Sequence, residues 1–333
     1  MNLTLQNIHI LVIEDIIPMQ DLLKHMLRML GVGEITTAKD GASGYEKYVR
    51  ETPDIIMTDW QMPEMDGLEL VHKIRKHKNS PNRSIPIIMM TGFCAHQRIS
   101  LARDGGATEF LVKPFSANDI AKRLGHIVQN SRDFIVTPEF IGPDRRRKKN
   151  DGYRGENNRK SETNKKIKAT DVLVQKTGVG ALDQILIDKS QNVLDNNKIN
   201  FIPIVENFLA QLNEAIHKAK QEEEPTRKAL DDMVDPIMQI KANARVLKYT
   251  LVGNLADIML TFLERLNLAD QYAFEIIQAH QNTLTHLVSR EMKGSGGDTG
   301  AALEKELQSA CNRYMNIKSK IHEGKLKKVK AKE

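Results

Sequence analysis

The sequence predicts an α/β fold, a doubly wound five-stranded parallel sheet, over residues 1–130, followed by a linker and an all-α bundle. In residues 1–130, short continuous apolar runs alternate with segments in which apolar residues recur at helical spacing. Continuous apolar runs are typical of parallel strands that are buried on both faces. In residues 201–292 the apolar residues recur with helical period and almost no strand signal, which is typical of packed helices.

The elements of residues 1–130 alternate along the chain as five strands and five helices. The predicted strands are 8–13, 34–38, 55–58, 85–90 and 109–112. The predicted helices are about 19–30, 42–50, 68–76, 96–103 and 117–128. Gly31 and Gly33 end the first helix, and Ser116 is a candidate N-cap of the last. Such alternation is typical of a parallel sheet that is covered by helices on both faces.

Polar residues follow four of the five predicted strands. The first strand is followed by Glu14 and Asp15, the third by Asp59, the fourth by Thr91 and the fifth by Lys113. Right-handed crossovers bring the carboxyl ends of parallel strands to one edge of the sheet, where open α/β sheets bind ligands. We therefore expect three carboxylates, one hydroxyl and one ammonium to lie close together. The alternative, that each residue merely ends its strand, suits one isolated residue better than five of these types.

The types of residue in this cluster predict its chemistry. Three crowded carboxylates repel one another unless a cation joins them, and hard oxygen ligands suit Mg²⁺. A metal there would screen an incoming phosphoryl group from the acids, and Thr91 and Lys113 would hold its remaining oxygens. Asp59 is then the natural nucleophile for phosphoryl transfer.

Five motifs lie at or near these strand ends. They are Val12-Ile13-Glu14-Asp15, Asp59-Trp60-Gln61-Met62-Pro63, Met65-Asp66-Gly67, Thr91-Gly92 and Lys113-Pro114-Phe115. On these motifs, residues 1–130 resemble the receiver domain of bacterial two-component response regulators, including the chemotaxis-type single-domain proteins. The resemblance implies a flavodoxin-like fold with the strand order 2-1-3-4-5 that this family is known for.

The resemblance also implies a role for each matching residue. Asp59 would accept a phosphoryl group from a histidine kinase or phosphotransfer protein and would lose it slowly by hydrolysis, with no separate output enzyme. The implied Mg²⁺ ligands are Glu14, Asp15, Asp59 and the backbone carbonyl of Gln61. Thr91 and Lys113 would contact the phosphoryl oxygens. Phe110, three residues before Lys113, matches the switch aromatic, which would turn inward as Thr91 moves and so change a surface that a partner reads.

The rest of the chain is predicted to consist of three segments. Residues 131–200 are expected to form a basic, largely disordered linker, because residues 131–170 carry 12 basic and 6 acidic residues. Basic and acidic residues balance on either side, at 15 each in 1–130 and 22 each in 171–333. Residues 201–292 carry four amphipathic stripes and predict a helical bundle. Residues 293–333 predict a Gly-rich spacer, a terminal helix from about 301 to 321 and a basic tail.

The helical bundle weakly resembles a histidine phosphotransfer domain. The segment from Met238 to Ala242 aligns with the His-x-x-Lys-Gly core of that family, with Met238 at the position of the phospho-accepting His. Met238 lies about 130° from the centre of the apolar stripe, so we expect it to face solvent. A thioether accepts no phosphoryl group, and the resemblance therefore implies a bundle that is kept for binding.

Composition and charge restrict the remaining function classes. No apolar run approaches the length of a membrane span, and two distant cysteines, Cys94 and Cys311, are expected in a reducing cytoplasm. The first hypothesis is a phosphorylation-controlled signalling protein whose helical half forms a homodimer or binds a partner protein. The alternative is a DNA-binding transcriptional regulator that uses the C-terminal half. It is motivated by the basic linker and tail but lacks a recognition helix rich in Arg, Asn and Gln.

Overall fold

A computed structural model describes most of the chain as two compact units, Met1–Lys198 and Ile199–Glu333. We refer to them as the first unit and the helical unit. The described residues are 2–92, 103–130, 132–137, 140–144, 165–167, 171–222 and 227–330, with side chains described up to residue 320. The helix predicted at 96–103, apart from Arg103, and the linker residues 145–164 lie outside these ranges.

The first unit contains the predicted parallel sheet of five strands. The strands are β1 (His9–Ile13), β2 (Glu34–Ala38), β3 (Ile55–Asp59), β4 (Ile87–Thr91) and β5 (Glu109–Val112). They lie in the order β2-β1-β3-β4-β5, and every neighbouring pair is parallel. The strands β3 and β4 are buried at every position, as their continuous apolar runs predict. The predicted fold class and strand order are confirmed.

Four helices of the first unit cover the two faces of the sheet. They are α1 (Ile17–Met29), α2 (Gly41–Glu51), α3 (Gly67–Lys76) and α4 (Ala117–Gln129). The helices α2 and α3 pack against each other and against one face, where they form a core with β1, β3 and β4. Capping boxes begin α3 at Asp66 and α4 at Ser116, which confirms the predicted N-cap of the last helix.

The first unit continues beyond residue 130. The short strands β6 (Phe134–Val136), β7 (Ile141–Pro143) and β8 (Lys165–Ile167) form an antiparallel sheet in the order β7-β6-β8. Two helices follow, α5 (Val172–Thr177) and α6 (Gln184–Asp195), and α6 packs against both α1 and α4. The prediction of a largely disordered linker over 131–200 is therefore wrong for residues 171–195. Some of their apolar side chains, such as those of Ile187 and Leu194, are buried although their spacing gives a weak sequence pattern.

The helical unit is a bundle of four helices with a fifth laid on it. The bundle helices are α7 (Ile202–Lys220), α8 (Arg227–Val246), α9 (Thr250–Arg265) and α10 (Gln271–Ser289). Each contacts the next in the chain, and α10 returns to contact α7. The last helix, α11 (Gly297–Lys330), packs against α9 and α10 and begins inside the predicted Gly-rich spacer.

The position of Met238 differs from the prediction. Met238 is 1% exposed, so the expectation that it faces solvent is wrong. The stripe argument assumes one buried face, whereas α8 buries every residue from Pro236 to Ala244 because it packs between α7 and α9. The helix also continues through Pro236 without ending there.

Within the described residues, every helix is either too short or too polar to cross a membrane. The cytoplasmic location that the sequence suggests stays a prediction.

Candidate functional site

The five predicted site residues meet at the carboxyl edge of the parallel sheet. Oxygen atoms of Glu14, Asp15 and Asp59 lie within 4.8 Å of one another. The Nζ of Lys113 lies 3.0 Å from Glu14 Oε2 and 2.9 Å from Asp59 Oδ2. Thr91 is the last residue of β4 and is 1% exposed. The sheet edge therefore brings the three carboxylates and the ammonium together, and Thr91 ends a strand at the same edge.

A buried amide from α1 fixes the turn that carries Glu14 and Asp15. The Nε2 of Gln20 donates to the backbone oxygens of Glu14 at 3.0 Å and Ala38 at 2.8 Å. Gln20 therefore ties the end of β1 to the end of β2 beside the acidic cluster. Sequence reasoning missed this residue, although a polar side chain among the apolar residues of α1 was an available signal.

Asp59 is held at the end of β3 by its own neighbours. Its Oδ1 accepts a hydrogen bond from the Trp60 backbone N–H at 2.8 Å. The following loop folds back on the strand, and the Gly67 N–H donates to the Trp60 carbonyl at 2.8 Å. A Cβ atom at Gly67 would lie 2.2 Å from the Asp59 carbonyl oxygen. Glycine is thus required for the loop to approach the strand closely.

Lys113 is positioned by the pairing of β4 with the residue after β5. Its backbone N–H donates to the Thr91 carbonyl at 2.7 Å, which places the two residues side by side. The side chain of Lys113 is almost completely buried, as are those of Glu14 and Asp59. A buried ion pair of this geometry needs both partners, because removing one leaves an uncompensated charge.

The cluster carries more negative charge than Lys113 balances. Burial, with Asp59 and Asp15 adding to it, raises the pKa of Glu14 to about 8 despite the opposing effect of Lys113. Burial and the neighbouring Asp59 raise the pKa of Asp15 to about 6. Burial opposes the charge of Lys113, but Asp59 and Glu14 outweigh it and raise the pKa of its ammonium. When all three carboxyls are ionised, their charge exceeds that of Lys113 by two, which a divalent cation would neutralise.

The oxygen atoms at this edge fit a hard metal ion. Glu14 Oε1 and Asp15 Oδ1 are buried and make no hydrogen bond to the residues that the structure describes. Buried oxygens without a donor are costly unless a cation or another partner satisfies them. Oxygen ligands from one or two carboxylates are what Mg²⁺ takes in proteins. The donor set therefore fits the predicted Mg²⁺.

Three further residues were named from the sequence: Gln61 and Phe110 for this site, and Met238 for the lost phospho-histidine position of the helical bundle. Gln61 is partly buried, two residues after Asp59, and its role as a backbone ligand stays a prediction. Phe110 is partly buried on β5, beside Met89 of β4, and packs against the core that α2 and α3 form with the sheet. Met238 lies on α8 of the helical unit.

Comparison with known proteins gives a match to this region. Residues 10–125 match the family described as the response regulator receiver domain. Chemotaxis protein CheY-3 of Vibrio cholerae is 30% identical over 124 residues, covering 37% of this chain and 94% of the relative. Chemotaxis protein CheY1 of Helicobacter pylori is 34% identical over 116 residues, covering 34% of this chain and 92% of that protein. The solved structure of chemotaxis response regulator CheY4 of Vibrio cholerae is 30% identical, with a TM-score of 0.34, over 36% of this chain and 98% of that one.

Proposed function

The chain belongs, through residues 10–125, to the response regulator receiver family, and from this premise we propose that it is switched by phosphorylation of Asp59. The observation that carries the proposal is the contact of one buried ammonium, Lys113, with both Glu14 and Asp59. This contact uses only one oxygen of Glu14, so the second oxygen of Glu14 and one oxygen of Asp15 are available to a cation. The phosphodonor would be a histidine kinase or a phosphotransfer protein.

The residues at the sheet edge have distinct roles in the proposed transfer. An oxygen of Asp59 attacks the phosphorus of the donor, a new P–O bond forms, and the bond to the donor's nitrogen breaks. Lys113, already 2.9 Å from Asp59, would hold a phosphoryl oxygen. The Thr91 hydroxyl would hold another. Glu14, Asp15, Asp59 and the Gln61 carbonyl would hold Mg²⁺, which supplies positive charge against the phosphoryl oxygens when bound.

We propose that the same groups connect the site to the rest of the chain. Movement of Thr91 toward the phosphoryl group would free space for Phe110, which is partly buried on β5. A second route leads through α4, which begins four residues after Lys113. The Ala117 N–H at its first turn donates to Gln191 Oε1 of α6 at 2.9 Å, and α6 ends shortly before the helical unit begins. The helical unit or a partner protein would then read the change.

Phosphate transfer to the full chain tests this function. Incubation with Mg²⁺ and a small acyl phosphate should add one phosphoryl group, visible in the intact mass, and Asp59→Asn should add none. Asp66→Asn is the matched control, because Asp66 caps α3 near the site and asparagine caps helices equally well. Wild-type protein without label, or label that persists in Asp59→Asn, would overturn the proposal.

A further inference from the structure

An open apolar groove lies between α10 and α11 of the helical unit. It has a volume of about 640 Å³. Two of the residues that line it, Tyr272 and Ile317, are 68% and 59% exposed. In the described part of the helical unit, the only other large apolar side chain that is as exposed is Leu268, at 62%. Exposed apolar side chains that cluster in one patch are typical of an interaction surface, whereas single exposed apolar side chains are common on any protein.

The apolar stripe of α11 extends past the helices that cover it. Its positions are Leu303, Leu307, Ala310, Tyr314 and Ile317, and the next in sequence is Ile321. The spacing alternates between four and three residues, which is the pattern of a helix that packs along another helix. Leu307 and Tyr314 are buried, whereas Ile317 is not. Lys318 pairs with Asp270 at 2.6 Å, just before α10 begins, yet α11 continues to Lys330.

The charges along the groove complement each other across its two walls. Glu275 of α10 and Arg313 of α11 both line the groove. Among the described residues neither has an ion-pair partner, and Glu275 accepts only a hydrogen bond from Gln271 at 3.3 Å. In a two-fold dimer, each surface meets its own copy, so an acid on one wall lies opposite a base on the other. This groove therefore complements itself.

We propose that a second copy of this chain docks in the groove and that the protein forms a two-fold dimer through α10 and α11. Tyr272 and Ile317 of each copy are buried against the other copy. Glu275 pairs with the partner's Arg313, and the pairing is repeated by symmetry. The proposal concerns no residue of the first unit and goes beyond phosphorylation at Asp59.

Sedimentation velocity of the full, unphosphorylated chain over a range of concentrations tests the apolar part. Wild-type protein should self-associate, and Ile317→Asp should weaken the dimer at least about tenfold because it places a charge in the interface. Ile185→Asp is the matched control: Ile185 is 61% exposed on α6 of the first unit, and its substitution should leave association unchanged. Far-UV circular dichroism of each variant separates loss of association from loss of fold.

A charge exchange tests the symmetry of the dimer. Glu275→Arg and Arg313→Glu should each weaken association, and the double variant should restore it, because the two charges meet between copies. Wild-type protein that stays monomeric would overturn the proposal, as would a dimer that Ile317→Asp leaves intact. A double variant no better than the single ones would overturn the pairing of Glu275 with the partner's Arg313. Phosphate labelling of the same samples reports on Asp59 separately.

Discussion

The two units of the chain hold buried charge in opposite ways. In the first unit, three carboxylates at the sheet edge share the single ammonium of Lys113. In the helical unit, one carboxylate, Asp257 of α9, is held by two cations of α8, with Lys241 at 2.5 Å and Arg245 at 2.8 Å. Burial raises the pKa of Asp257, but the two cations outweigh it and lower the pKa overall. The pKa values of Glu14 and Asp15 are instead raised.

This contrast separates a binding site from a structural ion pair. A cluster with unbalanced charge costs stability until a ligand of the opposite charge arrives, so its residues are arranged for that ligand. A carboxylate that already contacts two cations needs no further ligand, and its role is to neutralise a buried lysine. Removing a carboxylate should therefore have opposite effects in the two units.

The largest expected effect is at Asp257. Asp257→Asn leaves Lys241, whose side chain is 9% exposed, without its counter-charge. Breaking a fully buried pair costs about 3–5 kcal/mol. Because the Asp257 side chain is 38% exposed, we expect about half of that, near 2 kcal/mol. Hydrogen exchange of α8 and α9 in the full chain measures it, and Asp231→Asn, at an exposed ion pair on α8, is the control. Unchanged protection of α8 and α9 in Asp257→Asn would contradict the prediction, because it would show that water replaces the lost counter-charge of Lys241.

A smaller effect of opposite sign is expected at Asp15. Asp15→Asn removes one of three crowded carboxylates, so the first unit without Mg²⁺ should become more stable by about 1–2 kcal/mol near neutral pH. Protection of β1 and β3 against hydrogen exchange should rise, and added Mg²⁺ should stabilise the variant less than wild type. Asp21→Asn, at an exposed position of α1, should change neither. A loss of protection in Asp15→Asn would remove the contrast between the units.

The site was predictable from sequence because its residues stand at the ends of strands. Parallel topology brings strand ends together, so Glu14, Asp59 and Lys113 could be placed in one cluster before any coordinates. The support of that cluster was not predictable to the same extent. Gln20 acts through a pair of hydrogen bonds to two strands, and that pairing depends on the path of the turn rather than on spacing.

Prediction was weaker wherever burial depends on several neighbours. Periodicity assigns one buried face to a helix, and this assumption failed for Met238, because neighbouring helices bury the middle of α8 all round. The linker prediction failed for α6, where a polar side chain takes part in the packing: Ser190 is 0% exposed and its hydroxyl donates to the Met26 carbonyl of α1. A residue whose stripe neighbours are apolar is buried as periodicity predicts: His280 of α10, beside Ile277 and Leu284, is 0% exposed.

The smallest predicted effect concerns His280, the one histidine that is buried among the side chains described in the helical unit. His280 is 0% exposed, and its Nδ1 lies 2.9 Å from the Ile276 carbonyl oxygen. Its Nε2 faces the Cys311 thiol, whose pKa burial raises to about 11, so the thiol brings no charge. Burial lowers the pKa of His280 below its ordinary value although the Ile276 carbonyl opposes the shift.

The lowered pKa of His280 fixes the sign of a pH effect. In the unfolded chain the pKa of this histidine is near 6.5. Below that pH the unfolded state takes up a proton that the folded state does not, so the free energy of unfolding decreases as the pH is lowered. The loss from this group is at most about 1.4 kcal/mol for each pH unit below that value. Urea unfolding of the helices of the helical unit, monitored by hydrogen exchange at several pH values between 7 and 5.5, should show this decrease in the free energy of unfolding. His280→Gln should remove it, and His286→Gln, at an exposed position of the same helix, should keep it. An equal pH dependence in wild type and His280→Gln would mean that a group other than His280 takes up the proton when the helical unit unfolds.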